Sequence, residues 1–218
     1  MDNIFTKENM KLAVESLVNK SDSCGVDGIL VSQYKEYYEL NGEQIRDKLL
    51  KSEYKPDAVQ RVEVLKKNGK KRIISKYTCT DRVILDVLKS YLTPMLSRGF
   101  SKYSYAYQEN KGVQEAVRQC AEYIESGHGW VAEIDIKDFF DTINIERMLA
   151  ILEKNGIDGK LLKLIHSYMY IMIQDDLSKY RKTIGLVQGS PLSPLFSNVY
   201  MQEFDAYMEK YCFCRFSD

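Results

Sequence analysis

No stretch of this sequence approaches the ~18 consecutive apolar residues that a membrane-spanning helix needs. Its start, Met1 to Lys7, also lacks the apolar run of a secretory leader. Internal repeats and low-complexity tracts are absent. Neither sign of charge is in excess: 31 Lys and Arg balance 31 Asp and Glu over 218 residues. A wholly basic nucleic-acid coat is therefore excluded, although a locally basic face is not. The five cysteines come without a leader, so they read as free thiols in a reducing compartment. At 44% hydrophobic and 28% charged, the chain has globular composition, and its length suits one large domain or two small ones. The expectation is a soluble, cytoplasmic chain with no membrane association.

The charge balances only on average. Between Arg61 and Arg82, eight basic residues (Arg61, Lys66, Lys67, Lys70, Lys71, Arg72, Lys76 and Arg82) face only Glu63 and Asp81. From Val131 onward the chain is mildly acidic. A basic stretch followed by an acidic one suits a polyanion gripped beside metal-holding carboxylates. A solvated lysine face would give the same run of charge.

Periodicity then sketches the elements. Leu12, Val14, Leu17 and Val18 lie at near-helical spacing within Asn9–Asn19. Gln44 to Leu50 reads as a short helix that Tyr54-Lys-Pro56 leaves behind. In Gln60 to Leu65, Val62 and Val64 alternate with Arg61 and Glu63, and Lys67-Asn68-Gly69-Lys70 supplies an Asn-Gly turn before Arg72-Ile-Ile74. That is a β-hairpin signature. Helices are expected over Asp81–Leu96, Gly112–Glu125, Asn144–Lys154 with Asn144 as cap, and Gly159–Ile171. Trp130 to Ile136 alternates and reads as a half-buried strand, and Cys212 to Phe216 does the same. Between them come a hairpin with its tip at 174–178 and a helix opened by Ser193, with Phe196, Tyr200, Phe204 and Met208 as its stripe. The order implies an α+β fold with helices on an antiparallel sheet.

Two segments and the end of the chain carry chemistry. Asp135-Ile-Lys-Asp138-Phe139-Phe140-Asp141 crowds three carboxylates at a strand-to-helix turn. Such a set suits a hard cation such as Mg²⁺. Alternatively, Asp138 and Asp141 cap the next helix and the phenylalanines are core. Gly185 to Pro194 sets Gln188 at a glycine turn ahead of a helix N-terminus, a natural seat for phosphate or close backbone, or an ordinary loop entering a helix. Phe216-Ser217-Asp218 is weak evidence by itself.

Together these segments resemble the reverse transcriptases of bacteria, above all the group II intron type. Asp135-Ile-Lys-Asp-Phe-Phe-Asp is similar to that family's first palm motif, Val187-Gln-Gly-Ser-Pro-Leu-Ser-Pro to its Pro-Gln-Gly…Leu-Ser-Pro segment, and Phe216-Ser217-Asp218 to the start of its Tyr-x-Asp-Asp box. Gly25-Val-Asp-Gly28, Tyr54-Lys-Pro56, the hairpin, Thr80-Asp-Arg82 and Phe100 to Tyr107 follow in the family's order, so the resemblance covers essentially the whole chain. Val187 stands where Pro is usual, and Phe216 and Ser217 where Tyr and Ala are common. These departures resemble a divergent branch, CRISPR-associated or phage-defence.

The resemblance implies a right-hand polymerase, with an N-terminal extension and fingers over 1–110 and palm over 111–218. It implies an RNA-directed DNA polymerase using an RNA template, a DNA or RNA primer and dNTPs, with two Mg²⁺ ions, or Mn²⁺ in their place. By position, Asp135, the Ile136 carbonyl and Asp218 hold metal, with Asp135 and Asp218 the catalytic aspartates. Lys66 and Arg72 close over the nucleotide's triphosphate. Phe140 walls off a ribose 2′-hydroxyl, Phe139 offers its backbone N–H to the 3′-hydroxyl, and Gln188 lies against the nucleotide. Lys67, Lys70 and Lys71 read as template or phosphate contacts or as solvated side chains, and Arg82 as a template contact or the ion-pair partner of Asp81. The 218 residues stop before the box's second Asp, so the expectation is that they do not extend a primer alone and that a fused or partner domain follows. The alternative is a non-catalytic RNA-binding module, maturase-like or a scaffold in a defence complex.

Overall fold

The computed structural model describes residues 1–19, 23–65, 69, 71–175 and 178–217, with backbone alone at Lys71 and Arg72. Its frame is a helical pair, α1 (Lys7–Val18) and α3 (Cys79–Leu96), with α2 (Tyr34–Leu50) beside α1. Local chemistry starts the two. Thr6 Oγ1 accepts the Asn9 N–H at 3.1 Å, and Thr78 Oγ1 accepts the Asp81 N–H at 3.0 Å. Caps of this kind contribute about 1 kcal/mol each. Met10, Ala13, Val14 and Leu17 of α1 are buried, as are Val83, Ile84, Val87, Leu88 and Leu92 of α3. Of the stripe expected on α1, Val14 and Leu17 pack inward, whereas Leu12 is exposed and Val18 only partly buried; α3 packs on its expected face, with Tyr91 left exposed.

α2 starts ten residues before the helix expected at Gln44. Asn41-Gly42 resembles a turn, yet Gly42 is helical, and the Tyr38 ring occupies its side-chain space: a Cβ there would lie 2.8 Å from that ring.

The expected first hairpin forms. β1 (Val59–Leu65) pairs antiparallel with β2 (Lys71–Lys76) from Gln60↔Lys76 to Leu65↔Lys71. Of the Asn-Gly turn between them, Asn68 lies outside the described residues. A second hairpin joins β3 (Met172–Gln174) to β4 (Lys179–Arg181). The two meet in the order β2-β1-β3-β4, and the seam, Val59↔Ile173, is parallel. The expected antiparallel sheet is therefore mixed. Both seam residues are buried, so burial at the join selects the pairing. Cross-strand partners point to the same side of a sheet. Arg61, Ile73, Ser75 and Ile173 thus share one face, and Val62, Ile74 and Lys76 the other.

The second half adds α4 (Val113–Glu125), the short α5 (Phe139–Thr142), α6 (Ile145–Lys154), α7 (Gly159–Met169) and α8 (Ser193–Met208). Asn144 caps α6 as expected, accepting the Arg147 N–H at 2.9 Å. Ser193 does not cap α8: it is that helix's first residue, and its hydroxyl donates to the Val187 carbonyl at 2.7 Å. The stripe expected on α8 is only partly inward, because Phe196 is buried whereas Phe204 is 41% exposed.

Two expected strands do not form. Residues 130–136 are irregular, and Trp130 is 98% exposed. A half-buried strand needs a ladder partner and a cover for its apolar face. The described residues supply neither. Cys212 to Phe216 makes only an isolated bridge, Ser104↔Arg215. Among the described residues the five cysteines are free, and no helix is long and apolar enough to cross a membrane.

Candidate active site

The segment 185–194 is laid between the sheet and α5 by backbone hydrogen bonds. Gly185 and Leu186 donate to the Ile143 and Phe140 carbonyls at 2.7 and 2.6 Å, and the Gln188 carbonyl accepts the Ser75 N–H at 2.8 Å. Two glycines make this approach possible. Gly185 (φ +78°) and Gly189 (φ +100°) both take left-handed backbone, where a Cβ would lie 2.6 Å from the Asp141 carbonyl oxygen and 2.8 Å from that of Ser75. Bulk at either would push the loop off its seat.

The result is a cleft of about 810 Å³. Its walls are the Arg61–Ser75 face of the sheet, Tyr107, the α5 turn with Asp138, Phe140 and Asp141, the 187–191 loop and Lys182. Gln188 Nε2 donates to Asp141 Oδ2 at 2.9 Å, which ties the glycine turn to the carboxylate turn. Phe139 and Phe140 divide their work. Phe139 is buried and meets Tyr200 edge-on at 6.2 Å, whereas Phe140 is half-buried on the cleft wall. Asp138 does not cap α5 with its side chain; it takes a left-handed φ of 53° and faces the cleft.

A buried network lies next to this cleft. Arg215 is 6% exposed and grips Asp205 of α8 at 2.7 and 2.8 Å. The same guanidinium donates to Ser104 Oγ at 2.8 Å, to Asn198 Oδ1 at 3.1 Å and to the Ser217 carbonyl. It thereby fixes the backbone that leads into Asp218.

Asp81 is fully buried, with Tyr54, Thr78 and Tyr168 hydroxyls at 2.9, 2.9 and 2.7 Å and the Asp57 N–H at 3.2 Å. Burial pushes its carboxyl up to about 6, against the pull of those donors. It is a structural pin between α3, α7 and the 54–57 segment, and it is not the ion-pair partner of Arg82. That guanidinium donates to Ser23 Oγ at 3.2 Å and, with Lys76, lines a second cleft of about 480 Å³ on the sheet's other face.

The candidate residues are thus only partly assembled. Phe140 and Gln188 share the cleft, while Phe139 lies behind it. Asp135 is exposed within 130–136, outside the cleft lining, and Ile136 is 37% exposed. Asp218, Lys66, Lys67 and Lys70 lie outside the described residues. Lys71 and Arg72 are placed on β2 by backbone only. Among the described residues no three His, Cys, Asp or Glu side chains converge as an ion site. Of the two aspartates expected to hold metal, the described residues contain Asp135 alone. Motif reading missed Tyr107 and Lys182, and it named Arg61 only within the basic run. Strand register places Arg61 and Lys182; Tyr107 ends the Phe100–Tyr107 segment of the resemblance, which assigned it no role.

Residues 64–218 match the family model described as reverse transcriptase (RNA-dependent DNA polymerase). Protein YkfC of Escherichia coli K12 is 28% identical over 191 residues, which are 85% of this chain and 50% of that protein. The group II intron-encoded protein LtrA of Lactococcus lactis is 26% identical over 182 residues, 83% of this chain and 30% of that protein. The chain therefore spans half or less of these relatives' lengths. Among solved structures, a chain of a partial Cas6-RT-Cas1–Cas2 complex superposes with a TM-score of 0.64 at 23% identity, over 96% of this chain and 35% of that one. That likeness establishes a shared fold.

Proposed function

The chain belongs to the reverse transcriptase family, and we propose that it forms the nucleotide-facing part of an RNA-directed DNA polymerase acting on an RNA template, a primer and dNTPs. One observation carries this reading: the 185–194 loop brings Gln188 and the Phe140 turn to one cleft wall, joined by the 2.9 Å bond from Gln188 to Asp141. A wall of that kind suits a flat base and sugar. In this reading residues 1–110 act as fingers and 111–218 as palm. Phe140 limits bulk at the sugar 2′ position, the Phe139 N–H faces the 3′-hydroxyl, and Gln188 lies against the nucleotide. Lys66 and Arg72 neutralise the triphosphate, while Lys67, Lys70, Lys71 and Arg82 follow the strand backbone.

Reverse transcriptases generally use Mg²⁺. Here Asp135, the Ile136 carbonyl and Asp218 would hold the ions, with Mn²⁺ as the alternative; bound ions would activate the primer hydroxyl and offset charge on the leaving pyrophosphate. The Asp135 carboxylate suits that role, because it has no hydrogen-bond partner among the described residues and is open to solvent. We place the protein in the cytoplasm. A further domain, fused or separate, is proposed because the curated relatives extend well beyond the matched region.

Primer extension by the full-length protein on a primed RNA template tests the reading. Asp135→Asn is expected to abolish dNTP incorporation and leave RNA binding near wild type, because the amide keeps the shape and loses the charge. Undiminished synthesis by that variant would overturn the assignment.

A further inference from the structure

We propose that Lys182, together with Arg61 across the sheet, is a phosphate-binding pair on the cleft wall. The inference deepens the polymerase reading and rests on the cleft being the one that faces nucleotide or strand.

Strand register places both residues. Ile173 is the partner of Val59 on β1 and of Tyr180 on β4, so these three share a face. Arg61 follows Val59 by two positions, and Lys182 follows Tyr180 by two. Two-residue steps keep a side chain on the same face. The Lys182 N–H still donates to the Ile171 carbonyl at 3.0 Å, which extends the ladder one step past β4 and holds that parity. Lys182 and Arg61 both line the cleft that Phe140 and Gln188 also line.

Neither cation has a hydrogen-bond or ion-pair partner among the described residues. Among the described residues the Lys182 ammonium makes no hydrogen bond and no ion pair, although the side chain is partly buried. The Asp141 charge favours the ammonium electrostatically, but its carboxylate accepts a hydrogen bond from Gln188 instead. Arg61 likewise has no side-chain partner among the described residues. A lysine serving only solubility would extend into water. Here a partly desolvated ammonium is held at a cleft wall, with a guanidinium on the same face, and burial lowers its proton affinity. Such a site gains most from a bound dianion with several acceptor oxygens, which is a phosphate group. Two sources carry that chemistry: the triphosphate of a free nucleotide and the backbone of a nucleic-acid strand.

Two equilibrium binding measurements on the full-length protein separate them: dTTP without nucleic acid, and a single-stranded RNA without nucleotide, the latter over a range of salt. Lys182→Gln is expected to weaken one of the two about tenfold, as for a lost charge-assisted hydrogen bond, and Lys182→Arg to recover most of it. Arg61→Gln is expected to weaken the same ligand, and thermal melting checks that each variant is folded. If the strand is the source, the salt dependence for RNA falls by about 0.7 per lost contact; if the nucleotide is, RNA binding is unchanged. Affinities for both ligands unchanged in folded Lys182→Gln would overturn the pair and leave the polymerase reading standing. A wild-type protein that binds neither ligand would overturn both.

Discussion

The Tyr107 hydroxyl lies 3.0 Å from the Ser217 hydroxyl, while its ring meets Phe140 edge-on with centroids 6.5 Å apart. One side chain therefore touches both Phe140 on the cleft wall and the residue before Asp218. Tyr107 and Asp138 on the cleft wall, and Ser217 beside Tyr107, take left-handed backbone with φ of 57°, 53° and 79°. Non-glycine residues hold such geometry only where their surroundings enforce it. Tyr107→Phe removes the hydroxyl and keeps the ring. In the full-length protein it is expected to lower the rate of incorporation about fivefold, the worth of one neutral hydrogen bond. Ser217→Ala should do the same, and the double variant should be no worse than either single one. Additive losses in that cycle would mean that the two hydroxyls act independently.

Arg215 and Asp205 should matter more to folding than any other ion pair described here. Both are nearly excluded from water, at 6% and 2% side-chain exposure, whereas Arg147–Glu203 is exposed. Arg215→Ala strands a buried carboxylate and is expected to cost about 3–5 kcal/mol in urea unfolding. Arg147→Ala, the exposed comparison, is expected to cost less than about 1 kcal/mol. Equal losses in the two variants would mean that the buried Arg215 network contributes no more to folding than an exposed pair.

Asp81 makes stability depend on pH in a direction opposite to most carboxylates. Burial raises its folded-state value to about 6, above the 3.8 of an unperturbed aspartate. The folded state therefore binds the proton more tightly than the unfolded one. Its contribution is fully present below about pH 4 and is lost as pH rises through 6. Asp81→Asn cannot titrate, so the stability of the wild type relative to this variant is expected to fall by about 2–3 kcal/mol between pH 4 and pH 7. Urea unfolding of both proteins across that range measures it, and a constant difference would place the Asp81 carboxyl at its ordinary value.

What the sequence revealed follows the range of the forces involved. Helix caps are local, so Asn144 and the apolar face of α3 could be read directly. The parallel seam Val59↔Ile173 joins residues far apart in sequence, and no local pattern encodes it. Because the face assignments of Arg61 and Lys182 depend on that seam, their place in the cleft was hidden as well. The alternation in Trp130–Ile136 was legible, but alternation states only that a segment could be half-buried; without partner or cover among the described residues it stays irregular. Phe140 and Gln188 were found through motif resemblance, and the backbone bonds of Leu186 to Phe140 and of Ser75 to Gln188 supply the physical reason that they converge.

The division between Phe139 and Phe140 gives the sharpest test of whether the cleft reads a sugar. Phe139 is 5% exposed and packs against Tyr200, so shortening it should open a core cavity and destabilise the fold. Phe140 is half-buried at the cleft wall and leans on Tyr107 and Phe139 by its edges. Truncating it removes bulk on the side of the cleft and leaves the buried ring in place. Phe140→Val in the full-length protein is therefore expected to remain folded and active, and to raise the preference for rNTPs over dNTPs about tenfold or more. Steric exclusion of a single hydroxyl contributes on that order, and the exclusion ends when the wall shrinks. Competition between rNTP and dNTP on a primed RNA template measures the ratio, with thermal melting as the control for folding. An unchanged ratio in an active Phe140→Val protein would make Phe140 a packing residue, and the sugar would then have to lie against another part of the cleft.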